Sequence, residues 1–298
     1  MTAAADLLKI AQPALGVQIR QLETELGVDL LVRHSRGVTP TQAGALLAER
    51  ARKIVADVEA VEHELKALGA SKTDHVVLGM PPSVMLLLGP DLLIDARDDM
   101  PGVHLSLVEE RSVVLLDELI RGRINIAFGW NVADRADLER VALLEEDLLL
   151  VTAPIARGRE GAGAGGGDGP VSLAEALTHD LVIAGERGVI RNIVQTEARR
   201  LSLSMRFAFE VHSIGSMKAL IARGGGASIM PFSLAPKEIA AGELLARRID
   251  RPAITRTFYL VRPAKRAALF QEAAIGKFCD AVAAKLLKAC GPYARALR

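Results

Sequence analysis

Three serines stand where a strand-like run gives way to a helix-like one: Ser83 after Pro81 and Pro82, Ser112 after Arg111, and Ser213 after His212. A hydroxyl at a helix start lies beside backbone N–H groups that have no acceptor within the helix, and near the positive end of the helix dipole. Such a serine either caps its helix or helps to receive an anion. Other chemically capable groups are dispersed. The histidines (His34, His63, His75, His104, His179 and His212) form no HxxxH or HExxH pair, and Cys279 and Cys290 are not a CxxC. No metal site is expected from such spacing. Gly161, Gly163 and Gly166 fit GxGxxG formally, but a dinucleotide loop must open a helix, and here Gly167-Asp168-Gly169-Pro170 turns the chain instead. A surface loop is expected there. No GxSxG elbow occurs, and sequence adjacency does not place His212 to activate Ser213. An enzyme is not supported, and neither a cofactor nor a metal is expected.

Composition narrows the class further. The chain has 298 residues, enough for two or three small domains, and half of them are hydrophobic, which excludes global disorder. A formal net charge of +1 gives no strong field toward nucleic acid or membrane. Two cysteines exclude a disulfide scaffold and fit a reducing compartment. No apolar run reaches the roughly 18 residues of a spanning helix, and the first ten residues lack a secretory pattern. A soluble cytoplasmic protein without a membrane partner is expected. No aromatic residue precedes Phe128, so earlier cores must be built from Leu, Val, Ile and Ala.

The elements that must position these residues fall into three regions. Residues 42–70 form one long helical pattern opened by Thr41 as N-cap. Its apolar residues Leu47, Ala51, Ile54, Val58, Val61, Leu65 and Leu68 step by four and three, the heptad seam of a helix that needs a partner. The seam reads as an intrachain packing face or a homodimer contact. From residue 75 onward, strand-like runs at 75–80, 103–109, 124–129, 147–152, 181–184, 207–212, 227–230 and 255–261 alternate with helical ones, the rhythm of an α/β fold. Helices are expected from Ser83, over 112–121, from the Ser172–Glu175 capping box, over 190–200 and 213–223, and finally over 267–289. The pattern gives two α/β units, with the chain returning to the first at residue 255.

Residues 1–41 read as two short helices and a hairpin. Gln12-Pro13 opens the second helix, in which Leu15, Ile19, Leu22 and Leu26 should face inward, leaving Gln12, Gly16, Val17 and Arg20 outward. Residues 30–38 read as two short strands around a basic tip. The pattern alone fits either a helix-turn-helix or a small helical cap.

The ordered wording of this segment is more specific. Ala11–Gly16, Gln18–Glu23, Leu26-Gly27, Arg33–Gly37 and Thr41–Gly44 resemble, in order, the motifs of the winged helix-turn-helix of LysR-type transcriptional regulators. Two later phrases, at 107–130 and 209–231, look like the effector domain of that family, and the resemblance covers essentially the whole chain. The wording is nearest the branch that controls nitrogen assimilation. Two departures stand out: Ala11 and Gly16 replace serines of the family pattern, and the family has a further helix before the one near Ala3. The expectation is therefore a winged helix-turn-helix truncated at its first helix, either because the chain was started at an internal Met or because the DNA-binding unit is damaged. Leu7, Leu15, Ile19 and Leu22 would then be partly exposed.

The resemblance implies an α/β protein with a DNA-binding domain at 1–41, a linker or dimerisation helix at 42–71, and a two-lobed effector domain like periplasmic binding proteins at 72–298. Lobe I would hold about 75–150 and 255–298, and lobe II about 151–250. It implies a transcription regulator binding promoter DNA, acting as a homodimer or homotetramer, with RNA polymerase as a partner. Gln12, Pro13, Val17 and Arg20 would meet the major groove, and Arg33 and Arg36 the backbone or a minor groove. In the interlobe cleft Ser83, Ser112, Trp130 and Ser213, with Arg111 or Arg187 as cation, would bind a small organic anion, best a carboxylate. Two other readings stay open: a ligand sensor that only dimerises, and a two-lobed solute-binding protein, which would need an export signal and have no use for residues 1–70.

Overall fold

A computed structural model of the chain describes residues 4–5, 9–34, 37–51, 54, 55, 58, 74–154, 169–183, 185, 188–265 and 271–297. The chain divides into two compact units, Met1–Gly69 and Ala70–Arg298. Among the described residues no helix is long and apolar enough to cross a membrane.

In the first unit, helix α1 (Gln12–Leu26) carries a proline in its first turn and stops at Gly27, whose φ of 69° puts it in the left-handed region that glycine enters without strain. A hairpin follows, β1 (Leu31–His34) against β2 (Gly37–Pro40), with Arg33 opposite Val38. Side-chain bonds to the backbone join these pieces. The Glu23 carboxylate accepts from the N–H groups of Leu30 at 2.8 Å and Leu31 at 3.1 Å, tying the end of α1 to the start of β1. The Thr41 hydroxyl donates to the Asp29 carbonyl at 2.7 Å and accepts from the Gly44 N–H at 2.9 Å. Thr41 thus caps α2, helical over 42–51. A Cβ on Gly44 would lie 2.0 Å from the Leu30 carbonyl oxygen, so only glycine allows α2 to pass the hairpin so closely. Leu15 and Ile19 are half-buried as expected, but Leu22 and Leu26 are 38% and 49% exposed, because their face finds no apolar cover among the described residues. Residues 59–71 of the expected long helix lie outside the described residues. Ile54 and Val58 of its seam are exposed.

The second unit is built on one nine-stranded sheet. β3 (Asp74–Met80) lies between β4 (Val103–Glu109) and β5 (Ile126–Trp130), parallel to both. β6 (Leu138–Thr152) pairs antiparallel with β12 (Thr255–Pro263), which in turn pairs antiparallel with β5. α3 (Pro82–Asp99) and α9 (Glu272–Cys290) cover one face over Leu78, Met80, Phe128 and Phe258; α4 (Ser112–Ile120) covers the other over Ala127 and Val261. This is lobe I.

β6 does not end there. Its last residues pair antiparallel with β10 (Ser228–Pro231) and β11 (Leu245–Arg251), which begins lobe II. Because strand side chains alternate, Leu148 and Leu150 enter one core of that lobe, Leu149 and Val151 another. β7 (Val171–Ser172), β8 (Leu181–Ile183), β9 (Phe207–Glu210), α5 (Leu173–Ala176), α6 (Val189–Arg200), α7 (Ile214–Ala222) and α8 (Pro236–Ala240) complete it. A 3-10 turn (Phe232–Leu234) and β13 (Ala294–Ala296), paired with β6, are further elements. The chain therefore crosses between lobes twice, along β6 and again from β11 to β12.

Two differences from the sequence reading have local causes. The strand expected at 147–152 is the second half of β6, whose first half hides its alternation behind a register shift beside Phe258 and Tyr259. β11 was not anticipated, because Arg247, Arg248, Asp250 and Arg251 obscure a strand in which only Ile249 is buried. The glycine loop at 158–168 lies outside the described residues.

Candidate functional site

The ends of β3, β4 and β5 in lobe I face β8 and the start of α6 in lobe II across a cavity of about 250 Å³. On the lobe I side Pro81, Pro82, Ser83, Arg111, Ser112 and Trp130 line it. Apolar residues of lobe II make the opposite wall, among them Val182, Ile190, Val194, Met205, Met217 and Ile229. Arg256 lines it from β12, and Arg191 and His212 from lobe II.

Neither lobe I serine is a helix cap. Pro81 and Arg111 hold the N-cap positions of α3 and α4, without side-chain caps. Ser83 Oγ instead accepts from Trp130 Nε1 at 3.1 Å and Arg256 Nη2 at 3.3 Å, and Ser112 Oγ accepts from the Trp130 N–H at 2.9 Å. Each hydroxyl, spent as an acceptor, keeps its own proton to donate. Trp130 is 3% exposed, and the Arg256 guanidinium lies over its ring, 3.5 Å from the centroid, a cation–π contact.

Behind this surface lies a buried ion pair that the sequence reading missed. Glu146 and Arg256 are cross-strand neighbours on β6 and β12, and Glu146 Oε2 accepts from Arg256 Nη2 at 2.7 Å and Nε at 3.0 Å. Ser233 Oγ accepts from Arg256 Nη2 at 2.9 Å, and Glu146 Oε1 accepts from the Ser233 N–H at 3.0 Å and from Cys290 Sγ at 3.5 Å. Burial pushes the guanidinium below its ordinary pKa, and the adjoining Glu146 carboxylate opposes that shift. A signal was present in the sequence. In Leu144-x-Glu146-x-Leu148 and Ile254-x-Arg256-x-Phe258 a charge sits on the apolar side of an alternating strand.

The remaining expected residues divide. Arg111 is exposed at the lining. Ser213 is exposed and outside the lining; its hydroxyl accepts from the Ser216 N–H at 3.2 Å and caps α7. Arg187 lies outside the described residues. Arg191, which was not anticipated, donates to Glu210 at 3.1 Å beside the cavity. His212 packs against Gly185, where a Cβ would meet its ring at 2.3 Å.

In the first unit, Gln12, Pro13, Val17 and Arg20 are all exposed on α1. Pro13, Val17 and Arg20 follow the i, i+4, i+7 spacing of one helix face, and Gln12 adjoins it. Arg33 lies in β1 with its side chain outside the description, and Arg36 lies outside the described residues.

The thiols are inert by placement. Cys279 and Cys290 are buried on α9. Eleven residues of helix separate their Cα atoms by about 16 Å, far beyond the roughly 7 Å a disulfide allows. Burial pushes the Cys279 thiol up to about 11, and burial together with the Glu146 charge pushes Cys290 well above its ordinary range. Among the described residues no cluster of His, Cys, Asp or Glu could hold a metal ion.

Comparison with known proteins agrees with this architecture. Residues 1–45 match the family model of the bacterial regulatory helix-turn-helix protein, lysR family, and residues 69–286 match the LysR substrate binding domain. The nitrogen assimilation regulatory protein nac of Klebsiella aerogenes is 32% identical over 262 residues, 87% of this chain and 82% of that protein. A probable hydrogen peroxide-inducible genes activator of Streptomyces viridosporus is 31% identical over 276 residues, 91% of this chain and 86% of that protein. The crystal structure of full-length CbnR complexed with its target DNA superposes with a TM-score of 0.60 at 22% identity, covering 95% of this chain and 93% of that one.

Proposed function

We propose that this chain, which belongs to the LysR family of bacterial transcription regulators, binds promoter DNA through α1 and the hairpin and adjusts that binding to a small carboxylate held between the two lobes. The observation that carries the reading is the cavity's chemistry: hydroxyl donors and the Arg256 guanidinium converge on one side of a space whose opposite wall is mostly apolar. Convergent donors select an anion, and the apolar wall selects the body attached to it. Ser83, Ser112 and Trp130 contact the effector in this reading, with Arg111 adding positive charge at the lining and Arg187 kept as a candidate. Ser213 is better accounted for as the cap of α7.

At the DNA, Gln12 suits an adenine edge and Arg20 a base or phosphate, with Pro13 and Val17 packing beside them. Arg33 and Arg36 supply backbone contacts. Residues 1–41 serve as the DNA-binding domain, 42–71 as a pairing helix through the heptad seam, and 72–298 as the effector domain. In this reading the assembly is a homodimer or homotetramer paired through that helix, with RNA polymerase as a partner. Peroxide sensing by a disulfide is disfavoured, because the two thiols are buried, held protonated and far apart.

Selection from a random duplex pool with the full chain tests the reading. An enriched sequence is expected. On it, Arg36→Ala should flatten the dependence of log K on log salt by about 0.9, the value of one phosphate contact. Absence of any enriched sequence would leave a ligand sensor and refute a DNA-binding regulator.

A further inference from the structure

We propose that Arg256 is the residue that receives the effector's anionic group, through Nη1, and that Glu146 holds the guanidinium in position for that contact. The inference rests on the effector reading of the cavity and sharpens it to one residue and one ligand class. Three of the five guanidinium hydrogens have partners: Nε donates to Glu146, and Nη2 donates to Glu146 and to Ser233, with Ser83 sharing the latter nitrogen. Among the described residues Nη1 has no hydrogen-bond partner, although Arg256 is only 4% exposed and lines the cavity. The fully enclosed side-chain atoms without a partner, among the described residues, are Glu238 Oε2 and Arg262 Nε. Nη1 is not one of them, so it borders the space that Arg256 lines. Two N–H donors on a buried cation call for an acceptor, and the cavity is where that acceptor must come from.

The surroundings define the acceptor. Trp130 lies against the guanidinium and Glu146 grips its opposite edge, so the fork is fixed before a ligand arrives. The nearby groups with protons to give are the Ser83 and Ser112 hydroxyls. A carboxylate can therefore take one oxygen from Nη1 and the other from a serine. Glu146 already balances the charge of Arg256 and Glu210 pairs with Arg191, which leaves Arg111 at the lining to match one negative charge rather than two. The lobe II wall is mostly apolar, with Arg191 and His212 as its polar members, so it suits a ligand whose body is mainly apolar. The class is a monocarboxylate with an apolar body. Arg256 also bonds Ser83 of α3 and Ser233 of the turn after β10, so its ligand contacts a group shared by both lobes.

Trp130 is the only tryptophan of the chain, so its emission reads the cavity directly. The full-length protein is titrated with sodium hexanoate and sodium benzoate, with hexanamide and benzamide as neutral counterparts, and with adipate as the dianion. Saturable changes are expected with the monocarboxylates, with affinities at least about tenfold weaker for the amides and for adipate. Arg256→Lys keeps the charge and the pairing with Glu146 but removes the second arm of the fork. It should lose about tenfold or more for the acids and nothing for the amides. The double variant Glu146→Gln, Arg256→Gln removes both charges and should lose the preference for acids altogether. Should neither variant fold, as judged by a cooperative melt, the acid-to-amide ratio of the wild type decides alone. Amides binding as tightly as acids, or unchanged acid binding in a folded variant, overturns the role of Arg256 while leaving the cavity an effector site. If neither acids nor amides perturb Trp130, the effector reading itself fails.

Discussion

The head and the effector cavity solve opposite problems. In the head the residues proposed to meet DNA on α1 are exposed, and what positions their element is local: a glutamate, a threonine and a glycine acting on nearby backbone. In the cavity the chemically active groups are buried, and what positions them is distant in sequence, since Ser83, Glu146, Ser233 and Arg256 belong to four different elements. A surface that reads a polymer must be accessible and stiff. A pocket that recognises a small anion must be dry enough for a charge to matter.

The contrast predicts where substitutions hurt. Glu146→Ala should have the largest effect. It leaves Arg256 buried without its counter-ion, at a cost of about 3–5 kcal/mol in the stability of the second unit, read by thermal or urea unfolding. A loss below about 1 kcal/mol would mean that the pair does not organise the lobes. In the head, Gly44→Ala sets a methyl against the Leu30 carbonyl and should cost about 1–3 kcal/mol. Proteolysis of the head should accelerate while the melting of the second unit stays unchanged. Alkali should act on the second unit. The Cys279 thiol is held above its ordinary pKa, to about 11, so the folded state keeps its proton longer than the unfolded state. Stability is then fully present below the unfolded value and falls as pH rises toward 11, on the order of 2 kcal/mol. Cys279→Ala should show a shallower decline over that window. Thr41→Ala removes a cap and a bond to Asp29, and should cost the head about 1 kcal/mol. Arg20→Ala should change stability by less than about 0.5 kcal/mol while weakening DNA binding, which separates positioning from contact in the head.

The same contrast explains what could be read in advance. The head is written locally, so Thr41 as cap, the stop at Gly27 and the hairpin around residues 33–38 were visible as residue types at fixed offsets. The frame of lobe I was visible too, because the strand-like runs at 75–80 and 103–109 stand out and Pro82 and Ser112 follow closely. The cavity was legible only in part. Ser83, Ser112 and Trp130 stand where strands end, and position alone suggested them. Their hydrogen bonds to one another and to Arg256 depend on elements far apart in sequence, Ser83 and Arg256 being 173 residues apart. Ser213 carries the same local signal as Ser112, yet its hydroxyl is used in capping, a distinction that only the surrounding packing makes.

The central claim is that occupancy of the cavity changes how the head holds DNA. Fluorescence anisotropy of a duplex selected by the chain itself, measured at one salt concentration with and without a saturating monocarboxylate, tests it directly. A change in Kd of about fivefold or more is predicted, absent in the Glu146→Gln, Arg256→Gln double variant. An identical Kd at ligand concentrations that saturate the Trp130 response would contradict it.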